Sequence, residues 1–307
     1  MSSHCVPPAP RPLILRGPRP RLKDAAPCAG PFGAASSPQE PGRARRLVEE
    51  SAMVYSLQTG IVYGPVRSRR FGRSLGINLS PCARKLCSFD CVYCHYGATD
   101  RLTTDLSMLA DELPSAELVL DVVEVALRSA EQLEVVTFSG NGEPTLHPEF
   151  PAIARGVAEL VERWQPEART VLLSNSSGLS RREVHDALAA IDLPVLKLDA
   201  GTRETFQAVN RPARGVRFEE IVDELSTLSR ITLQTLLIDG EHGNTSPHEL
   251  SAYFELVRWI APVGVQLYST DRPVAKTATR RVAVERLLEI AAQGQQRAGV
   301  PFRVYGV

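Results

Sequence analysis

From residue 74 onward, short runs of apolar residues alternate along the chain with longer stretches in which apolar residues recur every three or four positions. Short apolar runs are typical of buried strands, and longer stretches with apolar residues three or four positions apart are typical of amphipathic helices. The short runs predict strands at 74–80, 135–139, 170–174, 195–199, 231–238 and 265–268. The periodic stretches predict helices at 116–130, 150–163, 182–190, 204–209, 218–228, 248–260 and 282–297. Strands that are each followed by helix indicate an α/β fold with a parallel sheet, either open and doubly wound or closed into a barrel.

Residues 1–52 have a different composition. They are rich in proline, alanine and arginine, and the prolines at 7, 8, 10, 12, 18 and 20 prevent regular backbone pairing. The segment has too little apolar periodicity to offset the entropy of ordering it. The sequence therefore predicts a disordered or spurious N-terminal extension at 1–52, followed by one domain at 53–307. An arginine-rich start is also typical of a transit peptide, although the segment has no clear amphipathic helix.

The composition narrows the class of protein. Lys plus Arg and Asp plus Glu both number 35, so the zero net charge gives no general reason to expect a nucleic-acid or membrane partner. No run reaches the roughly 18 apolar residues that a bilayer-spanning helix needs. The chain has 6 cysteines and no apolar signal sequence, which fits a reducing compartment. We therefore expect a cytoplasmic protein without membrane attachment.

Three of the cysteines lie close together after the first predicted strand. Cys87, Cys91 and Cys94 have the spacing C-x3-C-x2-C. Thiolates are the ligands of iron–sulfur clusters, and full ligation of a [4Fe–4S] cluster takes four of them. Three thiolates leave one iron free for a small molecule, which is typical of a catalytic cluster. A zinc site would show a second C-x2-C pair, whereas a four-thiolate electron carrier is an alternative because Cys82 lies shortly upstream.

Glycines and polar residues follow the predicted strands, and in parallel α/β folds function collects at the carboxyl ends of strands. Gly140 and Gly142 follow the second strand and allow backbone to approach a ligand, while Glu143 adds a carboxylate acceptor. Asn175 and Asp199 follow the third and fourth strands, where a short acceptor suits ribose hydroxyls. Asp199 is alternatively the N-cap of the next helix.

The cysteine loop, with Tyr93 directly before its last cysteine, resembles the radical S-adenosylmethionine (SAM) superfamily. The resemblance implies a partial (β/α)6 TIM-like barrel and two cofactors, a [4Fe–4S] cluster and SAM. In that superfamily the amino and carboxylate groups of SAM chelate the open iron, and the cluster ligands here would be Cys87, Cys91 and Cys94. The implied SAM contacts are Tyr93 near the adenine, Gly140, Gly142 and Glu143 near the amino group, and Asn175 and Asp199 near the ribose or carboxylate.

The activity that this resemblance implies is reductive cleavage of SAM. One electron from the reduced cluster breaks the sulfonium C–S bond, and the resulting 5′-deoxyadenosyl radical abstracts hydrogen from a substrate. The electron would come from a partner such as flavodoxin or ferredoxin. The substrate stays open among RNA, a peptide and a small molecule, and no catalytic residue is predicted beyond the cofactor ligands. The alternative function is a four-cysteine iron–sulfur electron-transfer module, with Cys82 as the fourth ligand.

Further segments are similar to one branch of that superfamily, which includes the tRNA-wyosine synthase relatives and many iron–sulfur oxidoreductases. These segments are 64–70, 74–78, 142–146 and 210–212. The wyosine enzymes carry a second cluster on three N-terminal cysteines. This chain departs from that pattern, because only Cys5 and Cys28 precede Cys82.

Basic residues provide two further candidate contacts. Arg67, Arg69, Arg70 and Arg73 come before or at the start of the first strand, and their guanidinium groups suit phosphate or nucleic acid. The alternative is a solvated face that pairs with acidic helices. Lys197 faces the side of its strand opposite to its apolar neighbours. Inside a barrel it would contact substrate or a carboxylate, and outside it would be a surface lysine.

Overall fold

The computed structural model describes residues 55–271, 274 and 278–306. The predicted extension at 1–52 lies outside these residues. The strands are β1 (Val62–Ser68), β2 (Gly72–Ile77), β3 (Leu86–Cys87), β4 (Arg101–Leu102), β5 (Val135–Phe138), β6 (Arg169–Ser174), β7 (Leu193–Lys197), β8 (Thr232–Gly240), β9 (Gly264–Ser269), β10 (Thr279–Arg281) and β11 (Phe302–Val304). The α-helices are α1 (Ala116–Ser129), α2 (Phe150–Trp164), α3 (Arg182–Ala187), α4 (Arg203–Asn210), α5 (Phe218–Thr227), α6 (Pro247–Ile260) and α7 (Val284–Ala298).

The main sheet follows the chain order from one edge to the other. Its spatial order is β1-β2-β5-β6-β7-β8-β9-β11, and β10 pairs with β8. Neighbouring strands from β2 to β11 are parallel, whereas β1 turns back antiparallel to β2. β3 and β4 form a small separate sheet. Helices connect the successive parallel strands from β2 to β9, which is the repeating βα pattern that the periodicity predicts.

Amphipathic helices and one face of the sheet form the main hydrophobic core. In α1, the fully buried side chains are Val119, Val123 and Leu127, which recur at helical spacing. Between sheet and helix, the rings of Phe138 in β5 and Phe150 in α2 meet edge to face at 5.7 Å. The packing of these helix faces on the sheet fixes the positions of the carboxyl ends of the strands, and thereby of the loops that follow them.

The two edges of the sheet are joined through the turn between β1 and β2. Arg69 in this turn forms an ion pair with Asp271, which follows β9. The guanidinium carbon of Arg70 lies 5.2 Å from the ring centre of Tyr268 in β9. Since β2 and β9 lie at opposite sides of the parallel strands, these contacts show that the sheet is curled into a partial barrel.

The inner face of the barrel is apolar at the amino ends of the strands and polar above them. Val135, Val171 and Val195 pack together near Phe71. Lys197 in β7 is aligned with Gln234 in β8, which is aligned with Gln266 in β9. Lys197 lines the cavity inside the barrel, so its side chain faces inward among polar neighbours.

The structure contains edge strands that the sequence pattern did not predict. β1 is mostly exposed and contains Gly64 and Pro65, so it lacks the apolar alternation of a half-buried strand. β11 has only 3 residues. β2 ends at Ile77 rather than at residue 80, because the amide of Asn78 donates to the carbonyl of Ser80 over 2.8 Å and closes a local turn.

Candidate active site

The cysteine loop follows β2 and is fixed by the end of α4. The backbone N–H of Val92 donates to the carbonyl of Val209 over 3.0 Å. The guanidinium of Arg211 lies 3.1 Å from the carboxylate of Asp90. The segment at 210–212, which sequence similarity singles out, therefore positions the cysteine loop.

Two of the three thiols receive a hydrogen bond from a buried asparagine. The amide Nδ2 of Asn175, directly after β6, lies 3.6 Å from Cys87 Sγ. The amide Nδ2 of Asn210, at the end of α4, lies 3.6 Å from Cys91 Sγ. The sequence predicted a role at the ribose for Asn175 and none for Asn210, whose only signal was its place in the similar segments.

The third thiol is close to a buried lysine. The ammonium group of Lys85 donates to the carbonyl of Gly97 over 2.9 Å and lies near the thiol of Cys94. Burial lowers the pKa of Lys85, but the negative charge of the nearby cysteines in their thiolate form, Cys94 first and then Cys87, raises the pKa by more. Each of the three cysteines is thus matched by a nitrogen donor from a different part of the chain.

The chemistry of the thiols fits a metal cluster. Burial raises the pKa of Cys87 to about 12 and the pKa of Cys91 to about 11. Such thiols stay protonated in the absence of a metal, and they become thiolates when iron replaces the proton. No three His, Cys, Asp or Glu side chains in the described part of the chain are placed to hold a single metal ion. A four-iron cluster is wider than one ion, so three thiolates that ligate it would lie further apart than the ligands of a single ion.

The glycines after β5 allow close contacts with neighbouring segments of the chain. A Cβ on Gly142 would lie 1.7 Å from the carbonyl oxygen of Leu86, which directly precedes Cys87. Gly140 has a φ of +134°, and a Cβ there would lie 2.5 Å from Asn78 Oδ1. The sequence predicted that these glycines admit a ligand. The structure shows that they admit the neighbouring backbone and side chain of the protein.

Glu143 is buried, and its carboxylate is occupied by donors of the chain. It accepts hydrogen bonds from Thr145 N at 3.0 Å, Thr145 Oγ1 at 2.6 Å, Ser174 Oγ at 2.8 Å and Asn175 N at 2.6 Å. Burial raises the pKa of Glu143, while the hydrogen bond from Asn175 and those from Thr145 and Ser174 oppose the rise. The carboxylate therefore fixes Asn175, which in turn contacts Cys87.

Asp199 is the centre of a second buried network. Its carboxylate accepts from Leu236 N at 2.8 Å, from Asn210 Nδ2 at 2.8 Å and from the Tyr93 hydroxyl. Lys197 Nζ lies 3.6 Å away. A contact with ribose would have to displace one of these partners. The alternative role as a helix N-cap does not apply, because Thr202 caps α4.

Tyr93 and Lys197 lie at the border between this network and the barrel interior. Lys197 Nζ lies 5.2 Å from the ring centre of Tyr93 and 3.2 Å from the hydroxyl of Tyr268. Burial lowers the pKa of Lys197, but Asp199 and then Tyr268 raise the pKa by more. Lys197 is therefore a fixed ammonium group rather than a nucleophilic amine.

A chamber of about 570 Å³ connects the cysteine loop with the barrel interior. Tyr93 and Cys94 line one part of it, and Arg67, Arg70 and Tyr268 line another. Pockets of a few hundred Å³ bind small molecules in proteins. The arrangement thus joins a thiol cluster to a polar chamber of small-molecule size.

Residues 85–249 match the profile of the radical SAM superfamily. The chain belongs to the radical SAM superfamily. It is 32% identical over 217 residues to a UPF0026 protein from Synechocystis, and the match covers 69% of this chain and 76% of that protein. As a member of the superfamily, it is an iron–sulfur enzyme that uses a [4Fe–4S] cluster and SAM for radical chemistry, and it needs a source of electrons.

Solved structures confirm the fold of this radical SAM protein. A radical SAM methyltransferase from Sphaerobacter thermophilus superimposes with a TM-score of 0.53 at 19% identity, over 75% of this chain and 66% of the methyltransferase chain. TYW1 with a lysine-pyruvate adduct superimposes with a TM-score of 0.50 at 15% identity, over 73% of each chain. The predicted partial (β/α)6 barrel of the radical SAM type is therefore confirmed. None of the described helices has both the length and the apolar character needed to cross a membrane.

Proposed function

We propose that Cys87, Cys91 and Cys94 ligate three irons of the [4Fe–4S] cluster, and that SAM binds beside them at the mouth of the chamber. The observation that carries this proposal is the convergence of three thiols of one loop with three nitrogen donors. The chemistry that cluster and SAM supply when bound is reductive cleavage of the sulfonium, which yields a 5′-deoxyadenosyl radical for hydrogen abstraction from substrate.

The residues of this chain hold and orient these groups. Asn175, Asn210 and Lys85 donate toward the sulfurs, which stabilises the thiolate form and fixes the rotamers of the cysteines. Glu143 and Asp199 act one step behind them, because each holds one of the two asparagines. Of the predicted SAM contacts, these two carboxylates and Asn175 are thus assigned mainly to support of the cysteine loop.

For SAM itself, the proposal keeps the backbone at Gly140 and Gly142 and the ring of Tyr93 at the border of the chamber. Tyr93 lines the chamber together with Cys94, which supports a contact with a ligand bound near that cysteine. The reductant would be a one-electron donor of the flavodoxin or ferredoxin kind. The substrate would enter the chamber from the side opposite to the cysteine loop.

The test is anaerobic reconstitution of wild type and of single cysteine variants. Cys87→Ala, Cys91→Ala and Cys94→Ala should each lose the stable cluster, because three thiolates are the minimum set. Cys82→Ala is the matched control and should keep both the iron content and the reductive cleavage of SAM to 5′-deoxyadenosine. Loss of the cluster in the Cys82 variant, together with electron transfer without SAM cleavage in wild type, would favour the four-cysteine electron-transfer alternative.

A further inference from the structure

The chamber is lined by more cationic side chains than carboxylates. Its described lining residues include four cationic side chains, those of Arg67, Arg69, Arg70 and Lys197, and a single carboxylate, that of Asp271. Arg69 forms an ion pair with Asp271, and Lys197 lies 3.6 Å from Asp199. Within the described residues, Arg67 and Arg70 have no carboxylate partner. The chamber therefore carries an excess of positive charge.

Arg70 is the more informative of these two arginines. Its Nη1 atom is buried and has no hydrogen-bond partner among the described residues. Its guanidinium carbon lies 5.2 Å from the ring centre of Tyr268 and 5.6 Å from that of Phe71. Aromatic faces accommodate a guanidinium but do not replace an acceptor for its N–H groups. A buried N–H without an acceptor points to a ligand atom that supplies one.

The turn that carries Arg70 is held in place from both sides. Ser68 Oγ accepts hydrogen bonds from Arg70 N at 3.3 Å and from Phe71 N at 3.2 Å. The ion pair between Arg69 and Asp271 ties the turn to the end of β9. Arg70 is thus presented to the chamber by a fixed backbone rather than by a free surface loop.

The geometry points to an oxyanion subsite at Arg70, in the chamber that Arg67 also lines, that binds the carboxylate or phosphate group of a small anionic substrate. Planar guanidinium groups match both oxyanions through paired N–H donors. The chamber volume suits a small molecule, and Cys94 lines the same chamber, so an anchored substrate would lie near the cluster loop. This inference rests on the proposed function, because it assigns the chamber to the substrate of the radical reaction.

The first test measures anion binding to the reconstituted full chain. Inorganic phosphate and acetate are titrated by calorimetry at constant ionic strength, with chloride as the reference ion. We expect wild type to bind phosphate, acetate or both, and whichever ion binds identifies the chemistry of the substrate group. Arg70→Gln should weaken that binding at least tenfold and Arg70→Lys by less. Arg258→Gln, which removes an exposed arginine of α6, is the matched control and should bind as wild type does.

A second measurement uses wild type alone and does not depend on the folding of a variant. Phosphate or acetate should protect Arg70 from an arginine-specific dicarbonyl reagent, as read by mass spectrometry of the peptide that contains it. Binding of neither ion, equal binding by Arg70→Gln and wild type, or absence of protection would overturn the inference. Loss of anion binding in the presence of saturating SAM would also overturn it, since Arg70 would then serve the SAM carboxylate.

The two proposals fail in different ways. If phosphate binds at Arg70 but the chain neither assembles the cluster nor cleaves SAM, the proposed function is wrong and the anion subsite stands. If the chain cleaves SAM and neither ion binds, the proposed function stands and the subsite is wrong.

Discussion

Two groups of residues support the cysteine loop, and each combines a thiol with a buried asparagine and a buried carboxylate. The Cys87 group consists of Cys87, Asn175 and Glu143, and the Cys91 group consists of Cys91, Asn210 and Asp199. In the Cys87 group, neutral hydroxyl and backbone donors occupy the carboxylate. In the Cys91 group, the ammonium of Lys197 adds a positive charge next to the carboxylate.

The asparagines of the two groups also differ. Asn175 Nδ2 has two hydrogens and two acceptors, Cys87 Sγ at 3.6 Å and Ser88 Oγ at 2.8 Å. Asn210 Nδ2 is shared among three acceptors, and Asn210 Oδ1 is buried with no hydrogen-bond partner among the described residues. The same support can therefore be built from neutral hydrogen bonds or around an ion pair. The Cys91 group depends on charge, and the Cys87 group depends on close packing.

The largest effect on stability is expected from Lys197→Met. This change leaves the buried carboxylate of Asp199 without its cation, and removal of one partner of a buried pair costs about 3 kcal/mol. Glu143→Gln is the matched change in the Cys87 group. Within the described residues no cation lies at ion-pair distance from the Glu143 carboxylate, so this change should cost about 1 to 2 kcal/mol. Chemical unfolding of both cluster-free variants checks the order. Equal losses would show that Lys197 does not distinguish the two groups.

The next effect concerns the packing of the Cys87 group. Gly142→Ala brings a Cβ within 1.7 Å of the Leu86 carbonyl oxygen, so the strand before Cys87 must move. We expect a loss of about 2 kcal/mol and a lower iron content after reconstitution. Gly264→Ala is the control, because its nearest neighbour would be 3.3 Å from the new Cβ. A Gly142 variant with full iron content and weaker SAM binding alone would return Gly142 to the role of a ligand contact.

A smaller effect separates the two asparagines. Hydrogen bonds to cluster sulfurs favour the reduced, more negative state, so Asn175→Leu and Asn210→Leu should both make the reduction potential more negative. Because Asn175 shares its amide among fewer acceptors, its loss should shift the redox equilibrium about tenfold, or about 59 mV for one electron, and that of Asn210 by less. Potentiometric titration followed by electron paramagnetic resonance measures both. A larger shift for the Asn210 variant would reverse the comparison.

The order of the strands and helices and the position of the cluster loop can be predicted from the sequence. The periodicity predicts the order of strands and helices of the barrel, because each strand and helix buries an apolar face. The spacing of the cysteines, with the family resemblance, identifies the cluster loop. The position of Lys197 can be predicted only in part. The alternation along its strand shows that Lys197 faces away from its apolar neighbours, but it does not show which face of the strand lies inside the barrel.

The partners of the thiols are beyond such reasoning. Asn210 lies far along the chain from Cys91, and their contact exists only because α4 ends against the cysteine loop. Lys85 lies close to Cys87 in the sequence, yet a single lysine in a sequence does not indicate that its side chain is buried. Asp199 was predicted to contact ribose because it lies at a strand end. The groups that donate hydrogen bonds to its carboxylate come from segments distant in the sequence, so the sequence does not reveal them.

The central claim is that three thiolates hold a cluster whose fourth iron is open to SAM. The most direct measurement is the electron paramagnetic resonance spectrum of the reduced, reconstituted full chain, recorded with and without SAM. Direct binding of SAM to the open iron should change the g values of the reduced cluster and be accompanied by formation of 5′-deoxyadenosine. A spectrum that SAM leaves unchanged, from a chain with a full complement of iron, would contradict the claim.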